Sequence, residues 1–68
     1  MKFSYAPQVL EDLKDIDKTQ IHMLLDYFES QYTHSRKLKE KGHVFKTGPW
    51  RILFVLEADQ IRVLRIIQ

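Results

Sequence analysis

Two segments near the end of the chain leave little freedom in what it can fold into. Trp50 to Glu57 reads WRILFVLE and Ile61 to Gln68 reads IRVLRIIQ. Both are apolar on both faces and rich in β-branched and aromatic side chains, the composition of strands inside a sheet. Only Ala58, Asp59 and Gln60 separate them, too short a gap for anything but an antiparallel hairpin. If all three form the loop, Glu57 pairs with Ile61, Ile52 faces Ile66, and Phe54 faces Leu64 on one apolar surface. Arg51 then lies opposite Ile67 and Arg65 opposite Leu53, which makes the two arginines diagonal neighbours on the other surface. A two-residue loop would instead set Arg65 opposite Ile52 on the covered side, where an unpaired guanidinium is costly. The three-residue loop is therefore expected.

The first half of the chain supplies what must cover the apolar surface. Lys2 to Ala6 alternates polar and apolar residues, a short strand with Phe3 and Tyr5 on one face. Pro7 suits the first turn of a helix, and Val9, Leu10, Leu13 and Ile16 follow as one helical stripe. Asp17 and Gln20 read as a capping box, after which Ile21, Leu24, Leu25, Phe28 and Tyr32 mark a second stripe. Two helices joined so closely form a helical hairpin. Thr33 to Lys41 loses its apolar periodicity except at Leu38 and reads as a basic loop or strand edge. His43 to Lys46 reads as a strand ending at the turn Gly48-Pro49. The expected fold is α+β: an N-terminal strand, a helical hairpin, then a three-stranded antiparallel meander, with the helices packed on one face of the sheet. Residues 1–68 make one domain, because a chain this short can bury only one core.

Composition removes several kinds of chemistry. There is no cysteine, and His22, His34 and His43 are far apart in sequence, so neither a disulfide framework nor a metal site is expected. Ser4, Ser30 and Ser35 have no plausible histidine–carboxylate partners for nucleophilic catalysis. Gly42 and Gly48 alone cannot build a phosphate-cradling loop, and no cofactor is expected. No apolar run approaches the roughly 20 residues that span a bilayer, and the first residues lack the apolar segment of a signal peptide. The expectation is a cytoplasmic protein that does not engage membranes.

Charge is where the chain becomes specific. The net charge is +2, but residues 1–34 carry three basic side chains against six acidic ones, and residues 35–68 carry eight against three. An imbalance of −3 against +5 points the second half toward a polyanion or an acidic protein. The candidates for a site among them are Lys46, Arg51 and Arg65 on the expected sheet, with Arg36, Lys37, Lys39 and Lys41, and the imidazole of His43, beside them. Arginine binds phosphate in bidentate fashion and lysine as a point charge. Such a group can also stabilise the charge that develops when an RNA 2′-hydroxyl attacks its neighbouring phosphate. In that reaction Arg51 would hold the pentacovalent phosphate and Lys46 or His43 would assist proton transfer. Trp50 and Phe45 are expected in the core or facing a partner, with base stacking as the alternative.

The wording of the second half resembles the RelE/ParE toxin family. Arg36-Lys37-Leu38-Lys39, then Gly48-Pro49-Trp50-Arg51-Ile52-Leu53-Phe54, then Val63-Leu64-Arg65-Ile66 follow that family's KLKG segment, its G-x-Y-R strand and its VLRI strand. Trp50 and Phe54 stand where the family usually has tyrosines. The resemblance runs from Phe3 to Gln68. It implies the toxin of a type II toxin–antitoxin pair, held inactive by a cognate antitoxin. RelE-like members cut mRNA on the ribosome. For that activity the resemblance assigns Arg51 to the arginine of the G-x-Y-R strand and Lys46 to a basic residue just upstream, while Val44 falls where another basic residue is often found. The tail beyond the last strand that supplies further catalytic groups in such members has no counterpart before Gln68. ParE-like members inhibit DNA gyrase by protein binding and cut nothing, and they match the last strand equally well. Three readings stay open: an mRNA endonuclease, a gyrase inhibitor, and an inactive shortened relative that only binds an antitoxin.

Overall fold

A computed structural model describes residues 1–68. The chain runs β1 (Lys2–Tyr5), α1 (Pro7–Asp12), α2 (Lys18–Gln31), a single 3-10 turn (Tyr32–His34), β2 (Arg36–Lys37), β3 (Gly42–Thr47), β4 (Trp50–Leu56) and β5 (Gln60–Ile67). The strands form one sheet in the order β1-β5-β4-β3-β2. The expected α+β arrangement is present, with two additions. β1 lies parallel to β5, Phe3 beside Ile61 and Tyr5 beside Val63, so the last strand is interior. The short β2 extends the meander, Arg36 beside Val44 and Lys37 beside His43.

All helical cover lies on one face. Val9 and Leu13 from the first helical segment and Leu24 and Phe28 from α2 pack against Phe45, Trp50, Ile52, Phe54, Ile61, Val63 and Ile66. Phe28 is fully buried and makes edge contacts with Phe45 and Phe54, ring centroids 5.5 and 5.2 Å away. Burying each such side chain contributes about 1.5–3 kcal/mol, so this aromatic cluster anchors the helices to the sheet. Trp50 and Phe45 belong to that core, 6% and 4% exposed, which withdraws both from stacking on a base.

The helical hairpin differs from expectation at its start. α1 ends at Asp12 after six residues, and Leu10, expected in the apolar stripe, is 77% exposed. A helix of that length turns fewer than two times, so it can aim only one side inward, and Val9 and Leu13 take it. Ile16 still packs on the core from the turn that follows. Asp17 caps α2 as its side chain accepts from the amides of Thr19 (3.0 Å) and Gln20 (3.4 Å); Gln20 takes part through its backbone.

The β4–β5 hairpin corrects the expected loop while keeping its consequence for the arginines. Leu56 pairs with Ile61, and the Glu57 amide donates to the Gln60 carbonyl at 2.8 Å, so the loop proper is only Ala58-Asp59. Continued unbroken, this register would have turned Arg65 into the core. Instead the register shifts between Leu53 and Phe54: Phe54 pairs with Val63, not Leu64, while Leu53 pairs with Arg65. Leu64 is the extra residue of a β-bulge. The bulge lets Ile61, Val63 and Ile66 all point inward, each at most 1% exposed, and leaves Leu64 and Arg65 outside. The desolvation cost that argued for a three-residue loop is avoided by a different device. At the other hairpin Thr47 pairs with Trp50 around Gly48-Pro49, and Gly48 has φ +54°, a conformation open to glycine at little cost.

Candidate functional site

The face of the sheet turned away from the helices carries the basic side chains. Alternation puts Lys46 and Arg51 directly opposite each other on β3 and β4, both exposed. Arg36 lies on the same face beside Val44, Arg62 beside Ser4, and Lys2 two residues along β1. No strand position on this face is acidic. The nearest carboxylate in the strand register is Glu57 at the hairpin tip, and the Gln60 side-chain amide donates to it. Six of the nine acidic residues lie between Glu11 and Glu29, in the helical layer or its connecting turn. The molecule is therefore polarised, with a negative helical layer and a cationic sheet face. Between the cations runs an apolar strip of Val44, Leu53, Val55, Leu64 and Ile67.

Arg65 differs from the other cations. Its Nε and Nη2 donate to the two carboxylate oxygens of Asp12, each at 2.9 Å. Asp12 Oδ2 also accepts the Ile66 amide at 2.9 Å. β1 pairs with β5 only as far as Val63, so this amide has no strand partner, and the carboxylate stands in for one. Held chiefly by the Arg65 hydrogen bonds, and further by the Ile66 amide and Gln8, Asp12 ionises at about 2, well below its ordinary 3.8. The same hydrogen bond raises the pKa of Arg65. Arg51 and Arg65 thus share the open face, but Arg65 has its charge matched and its geometry fixed by α1.

The remaining cations divide between two environments. Lys39 and Lys41 stand at the β2–β3 turn and line a cleft with Glu40, Gly42, Val55 and Glu57. Lys37 and His43 pair across β2 and β3 at positions that alternate with the open face. The His43 ring stacks on Phe54, centroids 5.2 Å apart and planes 19° from parallel, and its Nδ1 lies 3.1 Å from the Lys41 carbonyl. His43 is therefore on the helix side of the sheet, while Lys46 and Arg51 are on the other. Three residues that the sequence left aside join the cations: Lys2 and Arg62 on the open face, and His34, carried by the 3-10 turn, which lines a cavity with Arg36, Val44 and Lys46.

The helical side has a distinct feature. An open groove of about 740 Å³ runs between α2 and the β3–β4 turn, lined in part by Met23, Tyr27, Pro49 and Trp50. Met23 and Tyr27 are 68% and 52% exposed, large apolar surfaces for a chain this small. On β1, burial and a hydrogen bond to Glu29 of α2 push the Tyr5 hydroxyl above the usual tyrosine range. No helix is long and apolar enough to cross a membrane.

Comparison with known proteins shows a likeness in fold. No protein-family model matches the sequence, and no curated protein matches it. Among solved structures, the chain is similar to one from the RelB–RelE antitoxin–toxin complex of Methanococcus jannaschii. The TM-score is 0.71 over 96% of this chain and 88% of that one, at 16% identity. The fold is shared.

Proposed function

We propose that this chain is the toxin of a toxin–antitoxin pair and acts as an endoribonuclease on translated mRNA. The observation that carries the reading is the Lys46–Arg51 cross-strand pair on an open sheet face with no acidic strand position. A polyanion meets attraction across that face, and the apolar strip lets ribose and base edges lie down between the cations. Arg51 binds the phosphate at the cleavage point through its forked donors and stabilises the extra negative charge of the pentacovalent state. Lys46, directly across, adds positive charge to the same phosphate or to the leaving oxygen. Arg36, Arg62 and Lys2 extend the track along the RNA backbone, and Lys39 and Lys41, at the β2–β3 turn, are reached only by a longer RNA. Arg65 acts by holding β5 and its bulge in place through Asp12. Lys37 and His43, on the other side at the sheet edge, serve a longer RNA that wraps around β2.

Two things support the toxin role: the fold shared with a chain of an antitoxin–toxin complex and the arginine of the Gly48–Phe54 segment. The antitoxin would occupy the groove beside Met23 and Tyr27, where an apolar partner segment can bury both side chains. That groove also favours a second reading, in which the chain blocks a protein target such as DNA gyrase without cutting nucleic acid.

Regulated expression in growing cells separates the readings. Growth arrest with new cuts inside translated messages, abolished by Arg51→Ala in a folded variant, is the expected result. Arrest with DNA damage and intact messages would establish the second reading. Cutting that survives Arg51→Ala would remove this arginine from the site.

A further inference from the structure

Val44 presents a puzzle that the RNA reading does not absorb. It lies on the open face of β3 and is no part of the hydrophobic core, yet it is only 6% exposed. Together with His34, Arg36 and Lys46 it lines a cavity of about 150 Å³. Three elements converge there: the 3-10 turn Tyr32–His34, the edge strand β2 and the central part of β3. The turn is held by the Ser35 amide donating to the Tyr32 carbonyl at 3.1 Å, and Arg36 is held by its pairing with Val44.

We propose that His34, Arg36 and Lys46 form a discrete binding site for a single phosphate group. The cavity volume is that of about five water molecules, which suits one central atom with four oxygens. It is below the roughly 300 Å³ at which pockets begin to enclose whole organic ligands. Every polar side chain lining it can donate a hydrogen bond: the arginine fork, the lysine ammonium and an imidazole N–H. None carries a negative charge, so an anion is attracted and a metal cation repelled. The buried Val44 side chain is the one apolar group in the lining, and the lower local polarity it brings strengthens the hydrogen bonds of the other three. Arg51 lies across from Lys46 but does not line the cavity. The site is therefore a second phosphate position next to the one assigned to Arg51, with Lys46 between the two.

The occupant is either free phosphate or a phosphate of an RNA strand, and the chemistry is the same. This inference deepens the endoribonuclease reading, yet it can fail independently of it. Inorganic phosphate is titrated into the full chain at constant ionic strength against chloride, with side-chain and amide NMR signals followed. The expected result is a saturable shift of the His34 ring and of the Val44 methyl groups. His34→Gln and Arg36→Gln should each weaken that affinity at least fivefold, while Lys18→Gln, at the start of α2 in the helical layer, leaves it within twofold. Both substituted residues are exposed, so the amide spectrum should confirm an intact fold.

Repeating the titration with a short single-stranded RNA, with and without a 5′ phosphate, identifies the source. Preference for the phosphorylated strand assigns the site to a terminal phosphate. Equal shifts by both strands assign it to the chain backbone, and shifts from inorganic phosphate alone assign it to the free anion. Absence of any saturable shift with phosphate or RNA would overturn the site. If RNA still binds in an Arg51-dependent manner in that case, the functional reading survives. If phosphate fills the cavity but RNA never binds, the functional reading fails while the site stands.

Discussion

Consider Arg51→Ala and the salt dependence of RNA binding. The open face presents five cations without an acidic partner: Lys2, Arg36, Lys46, Arg51 and Arg62. Arg65 lies on the same face, but Asp12 already neutralises it. Each phosphate neutralised on a single strand releases about 0.7 of a counterion. Five contacts therefore give a slope of log affinity against log salt near about −3.5. Raising salt from about 50 to 200 mM should weaken binding roughly a hundredfold. Removing Arg51 brings the slope to about −2.8, and the same change in salt then costs roughly fiftyfold. Arg65→Gln should leave the slope near that of the parent, because the lost charge was never available to phosphate. The assay is fluorescence anisotropy with a labelled single-stranded RNA of about ten nucleotides, long enough to cross the sheet at the phosphate spacing that five contacts require. Equal slopes for the parent and Arg51→Ala would refute the assignment. So would a loss for Arg65→Gln as large as that for Arg51→Ala, since it would mean that the Asp12 pair does not hold in solution.

Three further outcomes test the architecture. Asp12→Asn should destabilise the fold most above about pH 5, because the depressed carboxylate contributes stability above its ordinary 3.8. That contribution is lost as the pH falls from 3.8 toward about 2, so urea midpoints of parent and variant should converge there. Phe28→Ala should cost about 3–5 kcal/mol for a fully buried ring, a large part of the roughly 3–10 kcal/mol expected of a domain this size. Denaturant unfolding followed by tryptophan fluorescence measures it, and a loss below about 1 kcal/mol would remove Phe28 from the centre of the core. Gly48→Ala should cost about 1 kcal/mol from its φ of +54° alone, since a methyl there meets no atom within 4 Å. A much larger loss would point to a contact that the turn geometry does not contain.

Several features of this protein were legible along the chain because they depend on residues close in sequence. The β4–β5 hairpin followed from two apolar segments three residues apart. The α2 stripe followed from Ile21, Leu24, Leu25 and Phe28 at helical spacing, and the Gly48-Pro49 turn from its glycine and proline. The charge imbalance between the halves became a polarised molecule because α2 and the sheet lie in separate layers, and alternation set Lys46 and Arg51 on the uncovered side.

Tertiary structure decided what depends on distant partners. The bulge at Leu64 arises because Ile61, Val63 and Ile66 must all meet the same core, a demand set by α1 and α2 rather than by the strand's own alternation. Arg65 is paired because Asp12, 53 residues earlier, arrives at the point where β1 stops covering β5. His34 reaches the open face because the chain passes around the sheet edge before β2. Leu10 is exposed because α1 is too short to need it. Periodicity records which side of an element is apolar. Which partner reaches that side, and which cation is left free, is settled only when the elements pack. The hairpin that most constrained the fold was thus readable from its own residues, while its true register required the rest of the molecule.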